Sequence, residues 1–211
     1  HWKRLGLVGY GEVGRIFSSG LKDHFDVVSA WDVKFPADTG GSRTAAEAAG
    51  VQAMESIGAL CARSDLVISA VTASSTLAVA QAAAPHLRAG MVFLDLNSAS
   101  PGTKQQAAQL VEAAGAHYVE AGVMTSVPPY GIRVPMLLGG PRAAELAPLL
   151  AGWGMDARAV SETPTASTVF NLIIVSPLFL LDVQRPAWSS LRAPRARMRS
   201  GVGLRAAPSL A

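Results

Sequence analysis

Short apolar runs alternate with longer helical patterns along the first 160 residues of the chain. Residues 5–8, 65–71 and 91–96 are almost wholly apolar, as expected for parallel strands covered on both faces. Further strands are predicted near 25–32, 50–54, 117–121, 135–140 and 156–160. Helices are predicted near 11–22, 44–49, 56–63, 75–86, 102–115 and 142–151. Because such alternation requires right-handed crossovers, it predicts an α/β fold: a doubly wound, mostly parallel Rossmann-type sheet of about eight strands.

The first apolar run leads directly into a GxGxxG turn at residues 9–14. In this pattern the first glycine permits a sharp turn, the second leaves room for a pyrophosphate, and the third lets the next helix pack closely. The second strand ends on Asp32, 18 residues after Gly14, where a carboxylate can accept hydrogen bonds from ribose hydroxyls. A GxGxxG alone also occurs in ordinary turns, so the prediction of a dinucleotide site depends on this surrounding strand-helix-strand unit.

Three later loops offer polar or small side chains at the carboxyl ends of strands, where ligands of doubly wound sheets bind. The loop near Val71 and Thr72 allows a flat ring to approach, and the loop at Asn97 and Ser98 could orient a polar substrate. The third loop is long and rich in proline, and is either a wall of the substrate pocket or a rigid surface connection. Helix capping is the alternative for the first two loops, although it accounts poorly for Asn97.

The candidate site residues fall into two groups. The predicted cofactor-binding residues are Gly9, Tyr10, Gly11, Glu12, Val13, Gly14, Asp32, Val71, Thr72 and Asn97. The predicted substrate-binding residues are Asn97, Ser98, Met124, Thr125 and Ser126. No residue is assigned a catalytic role.

Charge and composition divide the chain of 211 residues into three parts. Residues 1–162 form the expected dinucleotide-binding domain, and residues 163–182 form an apolar segment that could begin a truncated helical domain. Residues 183–211 carry six arginines and no acid, and are expected to be a disordered tail with no nucleic-acid partner. The apolar run 172–181 is shorter than the roughly twenty residues that span a membrane, so we expect a buried or docking segment there.

Cysteine and histidine usage argues against metal or disulfide chemistry. The four histidines are scattered without metal-ligand spacing, so no metal site is predicted. Cys61 is the single cysteine and suits a reducing compartment. The first strand begins within four residues of the start, which leaves no room for a signal peptide, and we expect a cytoplasmic protein. The chain begins with His1 instead of methionine, so removal of some N-terminal sequence is the alternative.

Four motifs in a fixed order resemble the NAD-binding domain of the 6-phosphogluconate and 3-hydroxyisobutyrate (β-hydroxyacid) dehydrogenase family, and its uncharacterised branch in particular. They lie at residues 9–14, 95–101, 120–126 and 135–140, and the resemblance covers about residues 4–168. It implies hydride transfer between a nicotinamide and a small hydroxy acid or related alcohol. Asp32 would disfavour a 2′-phosphate and so favours NAD over NADP, although Lys34 nearby could offset that choice.

The chain departs from the family at three places. Asn97 and Ser98 stand in the family's Asp-x-Ser-Thr-x-x-Pro motif, and residues 122–126 replace its glycine-rich Pro-Val-Ser-Gly-Gly cradle. The family's general-base lysine would fall near Phe170, yet no lysine follows Lys104. The alternative function is therefore a dinucleotide-binding module without catalysis. A homodimer is also consistent with the family, although its members usually assemble through the helical domain.

Overall fold

Eight strands and six α-helices alternate through residues 2–163, which are the residues that the computed structural model describes. The strands are β1 Arg4–Val8, β2 Val27–Trp31, β3 Gln52–Ala53, β4 Leu66–Ser69, β5 Val92–Asp95, β6 His117–Val123, β7 Met136–Gly139 and β8 Ala157–Ser161. The helices are α1 Glu12–Leu21, α2 Ser42–Ala48, α3 Ile57–Ala62, α4 Thr76–Ala83, α5 Pro101–Ala113 and α6 Ala143–Gly152. The predicted fold class is confirmed.

All eight strands join one sheet in the order β3-β2-β1-β4-β5-β6-β7-β8. The pairs are parallel except for β6 with β7, which are antiparallel. The order reverses between β1 and β4, so the connections that leave these neighbouring strands diverge to opposite sides. A crevice opens at such a switch point, at the carboxyl ends of the strands.

The two faces of the sheet carry two separate hydrophobic cores, and successive strand residues alternate between them. Leu66 and Ile68 of β4 join the core that α1 and α6 cover, whereas Val67 joins the core under α3, α4 and α5. Leu94 and Phe93 of β5 divide in the same way. This alternation explains the unbroken apolar runs of the sequence, because neither face of these strands meets water.

Two of the six α-helices within residues 2–163 begin with a side chain that caps them. Ser56 accepts a hydrogen bond from the Ala59 backbone N–H at 3.0 Å and starts α3, and Ser100 accepts from the Thr103 N–H ahead of α5. Pro101 occupies the first position of α5, where its missing N–H costs nothing. The capping role weighed for the loop after β5 is therefore real at Ser100, and it leaves Asn97 to be explained separately.

Several expectations lie outside the described residues. They concern the segments 163–182 and 183–211, of which only Thr163 is described, and the apolar run 172–181. Within residues 2–163, none of the helices is both long and apolar enough to cross a membrane.

Asp65 joins the beginning of β4 to the beginning of β1. Its Oδ2 accepts the backbone N–H groups of Lys3 and Arg4, each at 3.0 Å, and its Oδ1 accepts from Arg4 Nη2 at 2.6 Å. The Arg4 side-chain hydrogen bond holds the pKa of Asp65 below its ordinary value. The relative exposure of the Asp65 side chain is 21%, so most of it is shielded from water.

We expect Asp65→Asn to lower the free energy of unfolding at neutral pH by about 1–3 kcal/mol, because it weakens the charge-assisted hydrogen bonds that join the residue before β4 to the beginning of β1. The folded-state pKa is depressed, so the stabilisation is present above the unfolded value of about 3.9 and declines as pH falls through the folded value. Urea unfolding at neutral and acidic pH measures both effects. Asp26→Asn is the control, because Asp26 Oδ2 lies 3.6 Å from Lys3 Nζ and both side chains are exposed to solvent. Equal losses in the two variants would contradict the role of Asp65.

Candidate dinucleotide-binding site

The three glycines of the turn after β1 differ in the space around them. Gly9 has φ +94°, and a Cβ there would lie 2.3 Å from the Ala70 carbonyl oxygen. A Cβ on Gly14 would lie 2.1 Å from the Gly9 carbonyl oxygen, which is how closely α1 packs on the turn. Gly11 is different, because a Cβ there would meet nothing within 4 Å. Gly9 and Gly14 thus allow the turn to pack closely, and Gly11 leaves open space beside it.

Asp32 is bound to the glycine turn from the end of β2. Its Oδ2 accepts the Tyr10 backbone N–H at 2.7 Å, and its Oδ1 accepts the Lys34 N–H at 2.9 Å. The Tyr10 ring is buried and packs edge-on against Phe35, with 5.9 Å between the ring centroids. Tyr10 therefore supports the turn through its N–H and its ring, and the carboxylate of Asp32 stays partly exposed beside the turn.

A groove of about 650 Å³ runs along the carboxyl ends of β1, β2 and β4, and we call it the dinucleotide groove. The predicted residues that line it are Gly9, Gly11, Glu12, Val13, Asp32, Val71 and Thr72. Its other lining residues are Trp31, Val33, Lys34, Ile57, Ala70, Ser75, Ala78, Val79 and Ala82. Sequence reasoning missed the residues of α4 that line the groove, because their apolar side chains look like ordinary core residues.

A second space of about 290 Å³, which we call the loop cavity, lies beside the groove. Val13, Ala70 and Val71 line both spaces, so the two are neighbours across the switch point. The remaining lining residues are Ala73, Leu96, Asn97, Ser98, Val123, Thr125 and Val127. The structure therefore brings together residues from the loops after β4, β5 and β6, as their positions at strand ends predict.

The predicted substrate residues separate into two sets. Asn97, Ser98 and Thr125 line the loop cavity, whereas Met124 and Ser126 line neither space. The Met124 N–H donates to the Pro135 carbonyl at 3.0 Å, which extends the pairing of β6 with β7 beyond the strands. Ser126 is exposed on the same loop.

Asn97 is buried and its side chain is held by groups at the end of β4. Its Oδ1 accepts the Val71 N–H at 2.7 Å, and its Nδ2 donates to Ser69 Oγ at 3.0 Å. Its own N–H donates to Asp95 Oδ1 at 2.8 Å. The amide thus ties the loop after β5 to the loop after β4, a role that no short-range motif could indicate.

Four ionisable side chains are buried together beneath these loops, and sequence reasoning did not identify them as a group. Asp95, Glu120, Lys104 and Tyr118 are all almost fully inaccessible. The Tyr118 hydroxyl donates to Asp95 Oδ2 at 2.5 Å, and Lys104 Nζ lies 3.6 Å from Glu120 Oε2. Burial raises the pKa of Asp95, and burial together with the Asp95 carboxylate raises the pKa of Tyr118. The sequence did contain one indication of this group, because Asp95 and Glu120 each lie within a predicted apolar strand.

Metal and thiol chemistry find no support in the described part of the chain. No three His, Cys, Asp or Glu side chains between residues 2 and 163 are grouped so that they could hold a metal ion. Cys61 is buried, and this burial raises the pKa of its thiol to about 12. At neutral pH it stays protonated and packs as a small apolar side chain.

The fold and the groove define the class of Rossmann-type domains that bind dinucleotides. Within that class, the family model of the NAD binding domain of 6-phosphogluconate dehydrogenase matches residues 4–155. Because this match covers well over half of the sequence, the chain belongs to that family. The resemblance drawn from the four motifs is confirmed.

Three relatives illustrate the similarity. A conserved hypothetical protein of Sinorhizobium meliloti 1021 is 37% identical with a TM-score of 0.76, and the match covers 81% of this chain and 58% of that one. The 3-hydroxyisobutyrate dehydrogenase of Mycobacterium tuberculosis, solved with L-serine, shares the fold at 18% identity and TM-score 0.72, covering 82% and 59%. An uncharacterised 28.5 kDa protein of Methanothermus fervidus is 31% identical over 109 residues, covering 52% of this chain and 41% of that protein. The chain thus spans less than two-thirds of each relative.

We expect Gly9→Ala to destabilise the protein by more than the roughly 1–3 kcal/mol that a left-handed backbone alone costs a residue with a side chain. The reason is that the added Cβ also meets the Ala70 carbonyl oxygen at 2.3 Å. Gly50→Ala is the matched control, because Gly50 has φ +77° with open space around its Cβ position. Chemical denaturation of both variants measures the difference. Equal losses would show that the close approach to Ala70 carries no cost of its own.

Proposed function

We propose that the chain binds a nicotinamide dinucleotide along the dinucleotide groove and takes part in hydride transfer to or from a small hydroxy acid or related alcohol. Its family is that of the NAD(P)-binding domains of such dehydrogenases. The observation that carries the proposal is Gly11, which keeps open space at the start of α1 while its two neighbouring glycines are closely packed. A pyrophosphate needs such an opening, because its oxygens must reach backbone N–H groups directly.

The residues around Gly11 suit the diphosphate. α1 begins without a side chain capping its first N–H groups, so these donors are available to an anion. The positive end of the helix dipole adds to this attraction. Glu12 lies exposed in the first turn of α1 and lines the groove. The diphosphate would therefore bind through backbone donors rather than through a lysine or an arginine.

The residues near the end of β2 bear on the choice between NAD and NADP. Asp32 lines the groove, and its two hydrogen bonds to backbone N–H groups hold the carboxylate where ribose hydroxyls can donate to it. Lys34 lines the same groove and supplies a positive charge. We propose NAD as the preferred cofactor, because a 2′-phosphate next to the Asp32 carboxylate would be repelled.

The loop cavity is the proposed place for the substrate, beside the nicotinamide end of the groove. The dinucleotide, when bound, supplies a hydride acceptor or donor at its nicotinamide ring. Ser98 and Thr125 offer hydroxyls to a polar substrate, and Asn97 lines the same cavity and shapes it through its clamp on Val71. Val13, Ala70 and Val71 form the apolar wall between the two spaces.

The lining of the loop cavity bears on how the proposed reaction would move its proton. None of the described residues that line the loop cavity has a side chain that titrates near neutral pH. Oxidation of an alcohol by hydride transfer needs a group that takes the hydroxyl proton. This observation favours a second candidate function, dinucleotide binding by these residues without catalysis.

We also infer a small-molecule substrate as the partner of this site and the cytoplasm as its compartment. A buried thiol at Cys61 is consistent with a reducing environment. A homodimer remains the assembly we propose by family likeness.

We expect Gly11→Ala to fold with near-normal stability but to bind NADH at least about tenfold more weakly, since a methyl group would occupy the space proposed for the diphosphate. Open space around the Gly11 Cβ position and a φ of −74° permit the alanine in the free protein. Gly152→Ala is the control, because it adds the same methyl group in open space on α6. Calorimetric titration with NADH measures both affinities. Wild-type affinity in Gly11→Ala would contradict the placement of the diphosphate.

Titration of the 211-residue chain with NADH and NADPH by fluorescence tests the cofactor assignment. We expect tighter binding of NADH, and Asp32→Asn should narrow the difference because it removes the charge that repels a 2′-phosphate. Tighter binding of NADPH by the wild type would overturn the argument from Asp32.

An assay of hydride transfer over a panel of 3-hydroxy acids separates the two candidate functions. Turnover would support the dehydrogenase. Dinucleotide binding without turnover on any member of the panel would favour the second candidate.

A further inference from the structure

A continuous chain of hydrogen bonds runs from the interior of the sheet to the wall between the two ligand spaces. It begins at the Tyr118 hydroxyl, which donates to Asp95 Oδ2, and continues from Asp95 Oδ1 to the Asn97 N–H. It ends where Asn97 Oδ1 accepts the N–H of Val71. Each link is 2.8 Å or shorter, and Val71 lines both the dinucleotide groove and the loop cavity.

The interior end of this chain is costly to build. Tyr118 and Asp95 are completely inaccessible, and burying a carboxylate costs free energy unless hydrogen bonds and opposite charge compensate it. Compensation comes from the Tyr118 hydroxyl, the Asn97 N–H and the positive charge of Lys104. An apolar pair of similar volume would stabilise a strand interior as well or better. The network therefore calls for an explanation beyond the stability of the sheet.

Glu120 and Lys104 frame the same carboxylate. Glu120 on β6 is the register partner of Asp95 on β5. Lys104 Nζ on α5 lies 3.6 Å from Glu120 Oε2. The positive charge of Lys104 thus acts on two buried acids, Glu120 and Asp95. The Lys104 charge offsets part of the cost of burying the Asp95 carboxylate.

The outer end of the chain sets the position of a backbone group at the site. If the side chain at position 97 could not accept a hydrogen bond, the Val71 N–H would lose its acceptor. The loop after β4 would then lose this hydrogen bond to the loop after β5. Ser69 Oγ adds a second attachment by accepting from Asn97 Nδ2 at 3.0 Å. The wall at Val71 is therefore held by buried side chains two strands away.

We propose that Tyr118 and Asp95 are positioning residues for the nicotinamide end of the bound dinucleotide, acting through Asn97 on the wall at Val71. This inference rests on the proposed function, because it assumes that a dinucleotide lies in the groove. Neither residue lines the groove or the loop cavity, so neither touches the ligand. The adenosine and diphosphate end depends instead on Asp32 and the glycine turn.

The test compares two ligands that differ in the nicotinamide. NADH reaches the wall at Val71, whereas ADP-ribose has the adenosine, diphosphate and ribose but no nicotinamide ring. Tyr118→Phe in the full chain removes only the hydroxyl that donates to Asp95. We expect the Kd for NADH to rise about threefold to tenfold, the range set by one lost hydrogen bond, and the Kd for ADP-ribose to stay at the wild-type value.

Two further variants complete the design. Tyr130→Phe is the matched control, because Tyr130 is 44% exposed and lines neither space, and it should bind both ligands as the wild type does. Ser69→Ala removes the acceptor of Asn97 Nδ2 and should give the same selective loss of NADH affinity. If Tyr118→Phe does not fold, which thermal melting reveals, Asp95→Asn carries the test, because it weakens the next link of the same chain.

The outcomes separate the two proposals. Unchanged NADH affinity in the folded variants would overturn the positioning role, and so would an equal loss for NADH and ADP-ribose, which indicates general damage to the fold. If the wild-type chain binds neither ligand, the proposed function fails and the positioning role with it.

Discussion

The close approach of the Gly9 backbone to the Ala70 carbonyl is the contact on which the site depends. β1 and β4 are neighbours in the sheet, yet their connections diverge to opposite sides, so both chains must clear each other just beyond the last paired residues. A glycine with φ +94° achieves this, and any side chain there would meet backbone at 2.3 Å. The same turn directs α1 so that its N-terminus faces the crevice. Folding and ligand binding therefore place demands on the same few residues.

Polar side chains at the ends of three neighbouring strands form the second constraint. Ser69, Asp95 and Glu120 are register partners across β4, β5 and β6, and all three are buried. Because parallel strands present register partners to the same face, these groups converge just below the loops that build the site. Asn97 lies next to this row, towards the site. Its N–H donates to Asp95, and its side-chain oxygen accepts from the Val71 N–H in the loop after β4. The loop cavity thus lies above a row of hydrogen-bonded side chains, while its own lining is mostly apolar.

The sequence predicts most of the fold but only part of the site, and the reason lies in the range of the interactions. Alternating apolar runs are local signals, so the eight strands and the glycine turn could be recognised. The antiparallel pairing of β6 with β7 could not, because the intervening loop is long enough for either direction. The contact of Asn97 with a ligand stays a prediction, and what the sequence could not indicate is that its amide bonds to Val71 and Ser69, which lie 26 and 28 residues earlier in the chain. The packing of the Tyr10 ring on Phe35 is a contact of the same kind, because it joins residues that no local pattern connects.

A crystal structure of the chain with NADH would test the central claim most directly. The account predicts diphosphate oxygens within hydrogen-bond distance of the backbone N–H groups at Gly11 to Val13, ribose hydroxyls on Asp32, and the nicotinamide between Val71 and the loop cavity. A dinucleotide bound elsewhere on the surface, or in the groove with its diphosphate away from Gly11, would contradict it.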